Sequence, residues 1–218
     1  PHGRYAPKSR LRHGIPEEAD RRDLYRGFLL DTLATCRSIA NVTVHVAYAP
    51  DGGTGGFETL DLSPSDLLAQ RGSDLGTRQC GIFEDLFDAG HSKVLVIGSD
   101  LPTLPVQYIE DALSKVNDSL VVLGPSEDGG YYLMGLTAPR GHDPVPDLFT
   151  NIRWSTASAL EDTIHAAERT GLTVSQVASW YDIDTVDGLS RLQEDLTTAK
   201  HIQRAPETAR TLRRITSR

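Results

Sequence analysis

Cysteine is scarce in this chain of 218 residues, which has only Cys36 and Cys80. Both fall in helical patterns and neither has a metal-ligand partner at the right spacing, so a disulfide framework and a cysteine-held zinc are excluded. They read as ordinary thiols of a reducing compartment, which makes the cytoplasm the expected location. No apolar run approaches the roughly 20 residues that span a bilayer. No basic start followed by an apolar stretch marks a secretion signal. Positive charge is also short: 22 Lys and Arg stand against 30 Asp and Glu, a formal net charge of −8. That excludes a surface built for nucleic acid, though it leaves room for a local basic pocket that takes phosphates. Repeats and low-complexity blocks are absent too. What remains is an ordinary globular composition, long enough for one domain with a sizeable core or two small ones.

The stretch around which the elements arrange themselves is residues 93–105, KVLVIGSDLPTLP. Four apolar residues in a row, Val94 to Ile97, predict a strand buried on both faces of a parallel sheet. The run breaks at Gly98-Ser99, and Asp100 follows on a loop stiffened by Pro102 and Pro105. Upstream, a helix is expected from Pro16, with Glu17 and Glu18 in its first turn and a stripe of Leu24, Phe28, Leu29 and Leu33. Residues 42–49 predict a strand, with His45 as a packed or edge histidine, and 50–56 (PDGGTGG) a flexible loop. A short helix and short strand are expected within 57–70. A glycine-bearing loop, QRGSDLGTR, then feeds a helix with Ile82, Phe83, Leu86 and Phe87 inward.

Downstream, a helix is expected over 106–116 and strands over 119–124 and 131–136. The connection between these strands is too short for a crossover, so they should be antiparallel. Residues 137–153 predict an irregular lid or wall, and 155–171 a helix capped by Ser155 or Thr156. A strand at 172–177 and a helix at 186–196 close the pattern. Residues 198–218 form a polar, basic tail, expected to be a peripheral helix or mobile. Alternating β and α elements with one antiparallel insertion make an α/β three-layer domain.

Three acidic loops follow predicted strands: Asp100, Glu127-Asp128, and Asp182-Ile183-Asp184. Ligands of open α/β sheets gather outside the carboxyl ends of strands. Carboxylates converging there would suit Mg²⁺ or Mn²⁺, which bind through one or two carboxylates plus substrate phosphates. Arg4, Lys8, Arg10 and Arg71 are the loop cations available to neutralise such phosphates. Each acid also has a plainer reading, as a helix cap or a solvated turn.

The segments GSDLPTLP, LGPSEDGGYYLMGL, RWST and WYDIDTVDGL, with KSRL, LYRGFLLDTL and QRGSDLGTR upstream, occur in the order seen in the DUF2064 family. That family, also called selenodomain-associated transferase 1, is a branch of the nucleotide-diphospho-sugar transferase (GT-A) superfamily. The resemblance implies a Rossmann-like GT-A fold, a mixed and mostly parallel sheet of about seven strands, in a single domain over residues 1–197. It also implies a divalent metal, a nucleotide (an NTP or an NDP-sugar) and a small-molecule acceptor, and it allows a homodimer. Similar nucleotidyltransferases, such as the CMP-Kdo synthetases, hold Mg²⁺ with an aspartate of a GD-x-P loop and a second from a late VDTPEDL stretch. By that similarity Asp100 and Asp184 are the metal pair. Lys8 and Arg10 would grip the triphosphate, and Gln70, Gly72 and Gly76 would lie against the base or ribose. Asp128, Gly129, Gly130, Tyr131 and Trp154 would face the acceptor, with core packing the competing role for both aromatics.

The chain departs from the family pattern in places. The usual PGxxKTRL follows an apolar first strand; here the loop reads PHGRYAPKSRL, Ser9 replaces Thr, and no such strand is present, so it is expected to lie ahead of Pro1. Val186 and Gly188 also replace the relatives' residues in the late stretch. The first function implied is a metal-dependent nucleotidyltransferase that passes an NMP group to a small, phosphorylated acceptor, with Asp128 a candidate base. An NDP-sugar glycosyltransferase is the alternative; such enzymes usually carry Asp-x-Asp after the central strand, where this chain has Ser99-Asp100. A non-catalytic nucleotide-binding module is the third.

Overall fold

The computed structural model describes residues 8–49, 60, 62–116, 120–141 and 143–217. Arg4, the loop expected at 50–56 and the start of the 57–70 region lie outside them. The chain divides into two compact units. One comprises Pro1–Val44, Gly98–Val106 and Tyr181–Arg218, the other His45–Ile97 and Gln107–Trp180.

The second unit holds the sheets. Strands β1 (Val46–Tyr48) and β2 (Leu67–Ala69) pair in parallel. Strands β3 (Lys93–Ile97), β4 (Leu120–Pro125), β5 (Tyr131–Thr137) and β6 (Thr173–Gln176) form a four-stranded sheet in the order β3-β5-β4-β6. The short connection after Pro125 makes β4 and β5 antiparallel, as its length requires. Helices α2 (Leu75–Asp88) and α4 (Ala159–Arg169) cover one face. There Phe83, Ala159, Ala166 and Ala167 join Val121, Leu123, Met134 and Leu136 in one buried cluster. On the opposite face Val116, at the end of α3 (Val106–Lys115), reaches over Gly135, where a Cβ would lie 2.9 Å from its methyl carbon. Helices on both faces make the expected α/β class.

Several details differ from the sequence expectation. The described strands number six, in two sheets, rather than about seven in one. Of the four ladders two are parallel and two antiparallel, because β5 inserts between β3 and β4. The strands enclosed on both faces are therefore β4 and β5. In β3 only Val94 is fully buried, Lys93 is exposed, and the described ladder runs along one edge, antiparallel to β5. Helix α4 starts at Ala159 behind Ser158. Ser155 has φ 61°, a left-handed conformation outside the extended region an N-cap adopts, and Thr156 instead closes a turn onto the Arg153 carbonyl. Both cysteines are free, and burial pushes each thiol up to about 11.

The first unit is helical. A 3₁₀ turn (Ser9–His13) precedes α1 (Glu18–Arg37), and α5 (Val186–Asp195), α6 (Ala199–Arg204) and α7 (Pro206–Thr216) follow later in the chain. Leu24, Phe28 and Leu33 of α1 are buried as the stripe predicts, while Leu29 is half-buried. Buried Arg21 ties down the entry to α1 by donating to the carbonyls of Ile15 (2.7 Å) and Pro16 (2.5 Å). The tail expected to be peripheral packs closely: Thr208, Ala209 and Leu212 of α7 are buried, and α7 crosses α1 at Gly27, where a Cβ would lie 3.2 Å from the Thr208 Cα. Asp31 of α1 accepts the backbone N–H groups of Glu207 (3.1 Å) and Thr208 (2.8 Å), capping α7 from a neighbouring helix. No helix among the described residues is long and apolar enough to cross a membrane.

Replacing this cap has a calculable effect. Asp31→Ala should lower the unfolding free energy by about 1–2 kcal/mol, as loss of a capping carboxylate does. Asp31→Asn, which keeps one acceptor oxygen, should lose less. Urea titrations of the three proteins decide this; equal midpoints would show that the cap contributes nothing.

Candidate metal and phosphate site

Two loops of the first unit carry the acids. The first begins where the chain leaves β3. Ser99 Oγ hydrogen-bonds the Tyr25 hydroxyl at 2.8 Å, and Leu101 through Pro105 are all buried, with a tight turn closed by Leu104 N–H on the Leu101 carbonyl. Apolar and proline side chains thus anchor the loop and leave Asp100, 21% exposed, at its accessible start. The second loop enters α5. Tyr181 and Ile183 are buried, Asp182 and Asp184 are half-buried, and Thr185 caps α5 by accepting the Gly188 N–H. Burying Ile183 sends its two acidic neighbours to the opposite side, as alternation in an extended segment does.

The loops are joined by a buried polar contact. Thr103 Oγ1 lies 3.2 Å from the Tyr181 hydroxyl, which also donates to the Asp195 carboxylate of α5. The Arg191 guanidinium stacks 3.9 Å above the Tyr181 ring. Thr103 stands three residues after Asp100 and Tyr181 immediately before Asp182. This hydroxyl pair therefore fixes the spacing of the two acidic segments.

The result is a cluster in which Asp100, Asp182 and Asp184 each offer an oxygen within 4.8 Å of the others. Lys8 Nζ sits 2.5 Å from both Asp100 Oδ2 and Asp184 Oδ1, and Arg10 Nη1 lies 3.7 Å from Asp184 Oδ2. Burial alone would pull the Lys8 pKa down, but the two carboxylates outweigh it and hold the ammonium above the usual lysine value. Lys8 and Arg10 thus bring positive charge against Asp100 and Asp184. A hard divalent ion suits this donor set: the ligands are all oxygens, and the point between two of them already hosts a cation. The sequence paired Asp100 with Asp184. The structure adds Asp182, which the Asp-x-Asp spacing around an apolar residue signals.

The other expected site residues lie in the second unit. Gln70 donates its N–H to the Tyr48 carbonyl at 2.9 Å, and the Gly72 carbonyl accepts from Arg78 Nε at 3.1 Å. Arg71, one of the expected phosphate cations, pairs instead with Asp85 (2.7 Å) and Glu84 (3.3 Å). The N-terminus of α2 is capped by Asp74, which accepts the Thr77 N–H at 2.9 Å. Gly76, Trp154 and Tyr131 do come together. A Cβ on Gly76 would lie 2.8 Å from Trp154 Nε1, and the Tyr131 ring meets Trp154 edge-on at 6.2 Å while its hydroxyl donates to Gln79. Asp128 accepts the Gly130 N–H at 2.9 Å, and Gly129 has φ 89° with a carbonyl of Ala157 2.3 Å from where its Cβ would be, so only glycine fits.

A family model described as an uncharacterized protein conserved in bacteria (DUF2064) matches residues 32–156. The chain belongs to the DUF2064 family. A crystal structure of a protein from Desulfovibrio desulfuricans G20, provisionally named a nucleotide-diphospho-sugar transferase, superposes with a TM-score of 0.83 at 30% identity, covering 100% of this chain and 91% of that one. No curated protein matches. In this DUF2064 chain the motifs divide by unit: SDLPTLP and YDIDT carry the acidic cluster, while EDGGYY and RWST build the packed corner of the second unit. Arg153 of RWST has a structural task. Its guanidinium and its backbone N–H grip Asp162 of α4 at 2.7–2.9 Å, which sets the position of Trp154 next to it.

Hydrogen bonds from Arg153 lower the Asp162 pKa to about 2. A depressed carboxylate contributes stability above its ordinary range and loses it as pH falls through that range toward the folded value. Asp162→Asn should therefore be less stable than the parent at pH 7, and the difference should shrink from about pH 4 down to pH 2. Thermal unfolding of both proteins across pH tests this, and a difference independent of pH would contradict it.

Proposed function

We propose that this chain is a divalent-metal-dependent nucleotidyltransferase that passes an NMP group from an NTP to a small, phosphorylated acceptor. The observation that carries the reading is the Asp100–Asp182–Asp184 cluster with Lys8 and Arg10 against it. Cations and hard-oxygen ligands then act on one polyphosphate. Asp100 and Asp184 would hold Mg²⁺ or Mn²⁺, with Asp182 the third oxygen donor. When bound, the metal offsets charge on the phosphates and aligns in-line attack. An acceptor oxygen attacks the α-phosphorus, the bond from that phosphorus to the bridging oxygen breaks, and pyrophosphate leaves. Lys8 and Arg10 stabilise the charge that builds on the leaving group. Gln70, Gly72 and Gly76 would meet the base or ribose. Asp128 through Tyr131 and Trp154 would face the acceptor, with Asp128 the candidate base.

The name given to the Desulfovibrio protein supports the coarser class, a transferase, and favours a second reading in which an NDP-sugar is the donor on the same scaffold. The single acid after β3, with Ser99 engaged by Tyr25, weighs toward nucleotidyl transfer.

A thermal-shift panel of the four NTPs and of UDP-, GDP- and ADP-sugars, each with Mg²⁺ and with EDTA, separates the readings. A ligand at 100 times its Kd stabilises the native state by about 2.7 kcal/mol. One NTP should raise Tm only with Mg²⁺, and Asp100→Asn should abolish the rise. A shift confined to an NDP-sugar would replace this reading with the glycosyltransferase, and none in the panel would leave a non-catalytic module.

A further inference from the structure

Lys8 is more deeply buried than the two acids it bridges, with its side chain 7% exposed against 21% for Asp100 and 40% for Asp184. Its ammonium lies at the same 2.5 Å from one oxygen of each. A divalent ion bridging those two oxygens needs that same space, at about 2.0–2.1 Å from each for Mg²⁺. An ammonium and a metal ion cannot both occupy it. The residue that takes the space is a lysine, a compact charge on a flexible stem, rather than a planar guanidinium locked to a carboxylate. Its backbone is also unusual. Lys8 has φ 56° and ψ 41°, a left-handed conformation that side-chain-bearing residues rarely hold, just ahead of the 3₁₀ turn. Arg10, two residues on, is 67% exposed and stands farther off Asp184, so it is placed to meet incoming phosphates first.

We propose that Lys8 is the resident counter-cation of this cluster and makes the metal bind tightly only to the nucleotide-loaded protein. Nucleotide phosphates draw the Lys8 ammonium off Asp100 and Asp184, and the freed carboxylates then accept the ion. Metal alone must displace Lys8 without offering it another partner, so it binds weakly. Coupling of this kind is reciprocal: nucleotide tightens metal binding by the factor by which metal tightens nucleotide binding. This rests on the reading above, that the cluster takes a metal together with a nucleotide.

The test is equilibrium dialysis of the full chain against Mn²⁺, counting protein-bound ion, with no nucleotide and with each NTP in turn. In the parent protein, Mn²⁺ should bind about tenfold or more tighter with the preferred NTP than alone, within the usual range of coupling factors. Lys8→Met removes the charge and keeps the stem. It should bind Mn²⁺ alone about tenfold tighter than the parent, with the nucleotide effect on metal affinity largely gone. Lys8→Arg keeps a cation in place and should stay weak toward Mn²⁺ alone. Lys8→Gln, also uncharged, should likewise bind Mn²⁺ alone more tightly than the parent, and it carries the test where Lys8→Met fails to fold. If the parent binds Mn²⁺ equally well with and without every NTP, and Lys8→Met binds no tighter, the role of Lys8 is overturned while the metal site stands. Absence of bound Mn²⁺ in every protein and condition would overturn the metal-dependent reading itself.

Discussion

Carboxylates with oxygens within 4.8 Å of one another repel unless a cation sits among them, and here that cation is Lys8. The rest of the first unit keeps this arrangement in place. Prolines and buried leucines stiffen the segment after Asp100, Ile183 anchors the segment between Asp182 and Asp184, and the Thr103–Tyr181–Asp195 hydrogen bonds set the distance between the two. Lys8 itself is presented by a short 3₁₀ turn that packs near α5, where Gly14 meets the Leu189 side chain. A cluster held this way is preorganised for positive charge, which Lys8 supplies.

The second unit achieves order by different means. Its central strands β4 and β5 are apolar on both faces and enclosed by helices, a placement worth about 2–5 kcal/mol for a side chain such as Met134. The loop between them is shaped by Gly129, which no other residue can replace without striking Ala157. Trp154 lies over Gly76 and beside Tyr131, and Arg153 holds it there through Asp162. The aromatic pair that the sequence offers for stacking on a ring is thus packed on itself and against the core cluster.

Local patterns were legible and long-range contacts were not. The helical stripe of α1, the antiparallel β4–β5 connection and the positions of Asp100 and Asp184 follow from spacing, loop length and motif order. Burial of Ile183 is consistent with the Asp-x-Asp alternation, yet nothing in the sequence links Thr103 to Tyr181, 78 residues away. Four apolar residues in β3 suggested a central strand, but burial depends on neighbours, and the described neighbour is β5 alone. The start of α4 falls later than the sequence suggests because three hydroxyl residues stand close together: Ser155 is left-handed, Thr156 turns onto Arg153, and the helix begins only after Ser158, whose side chain makes no capping hydrogen bond. The polar tail hid its packing for a similar reason: few of its residues are apolar, but small Ala209 and Thr208 allow α7 to lie close against Gly27.

The proposed role of Lys8 requires it to give up its place between the acids when substrate arrives. Crystals grown with Mn²⁺ and a non-hydrolysable NTP analogue, measured at the manganese absorption edge, would show where the ion sits. An anomalous peak is expected within bonding distance of Asp100 and Asp184, with the Lys8 ammonium moved onto the phosphates. A peak elsewhere, or a Lys8 still bridging the two carboxylates beside a fully occupied nucleotide, would contradict it.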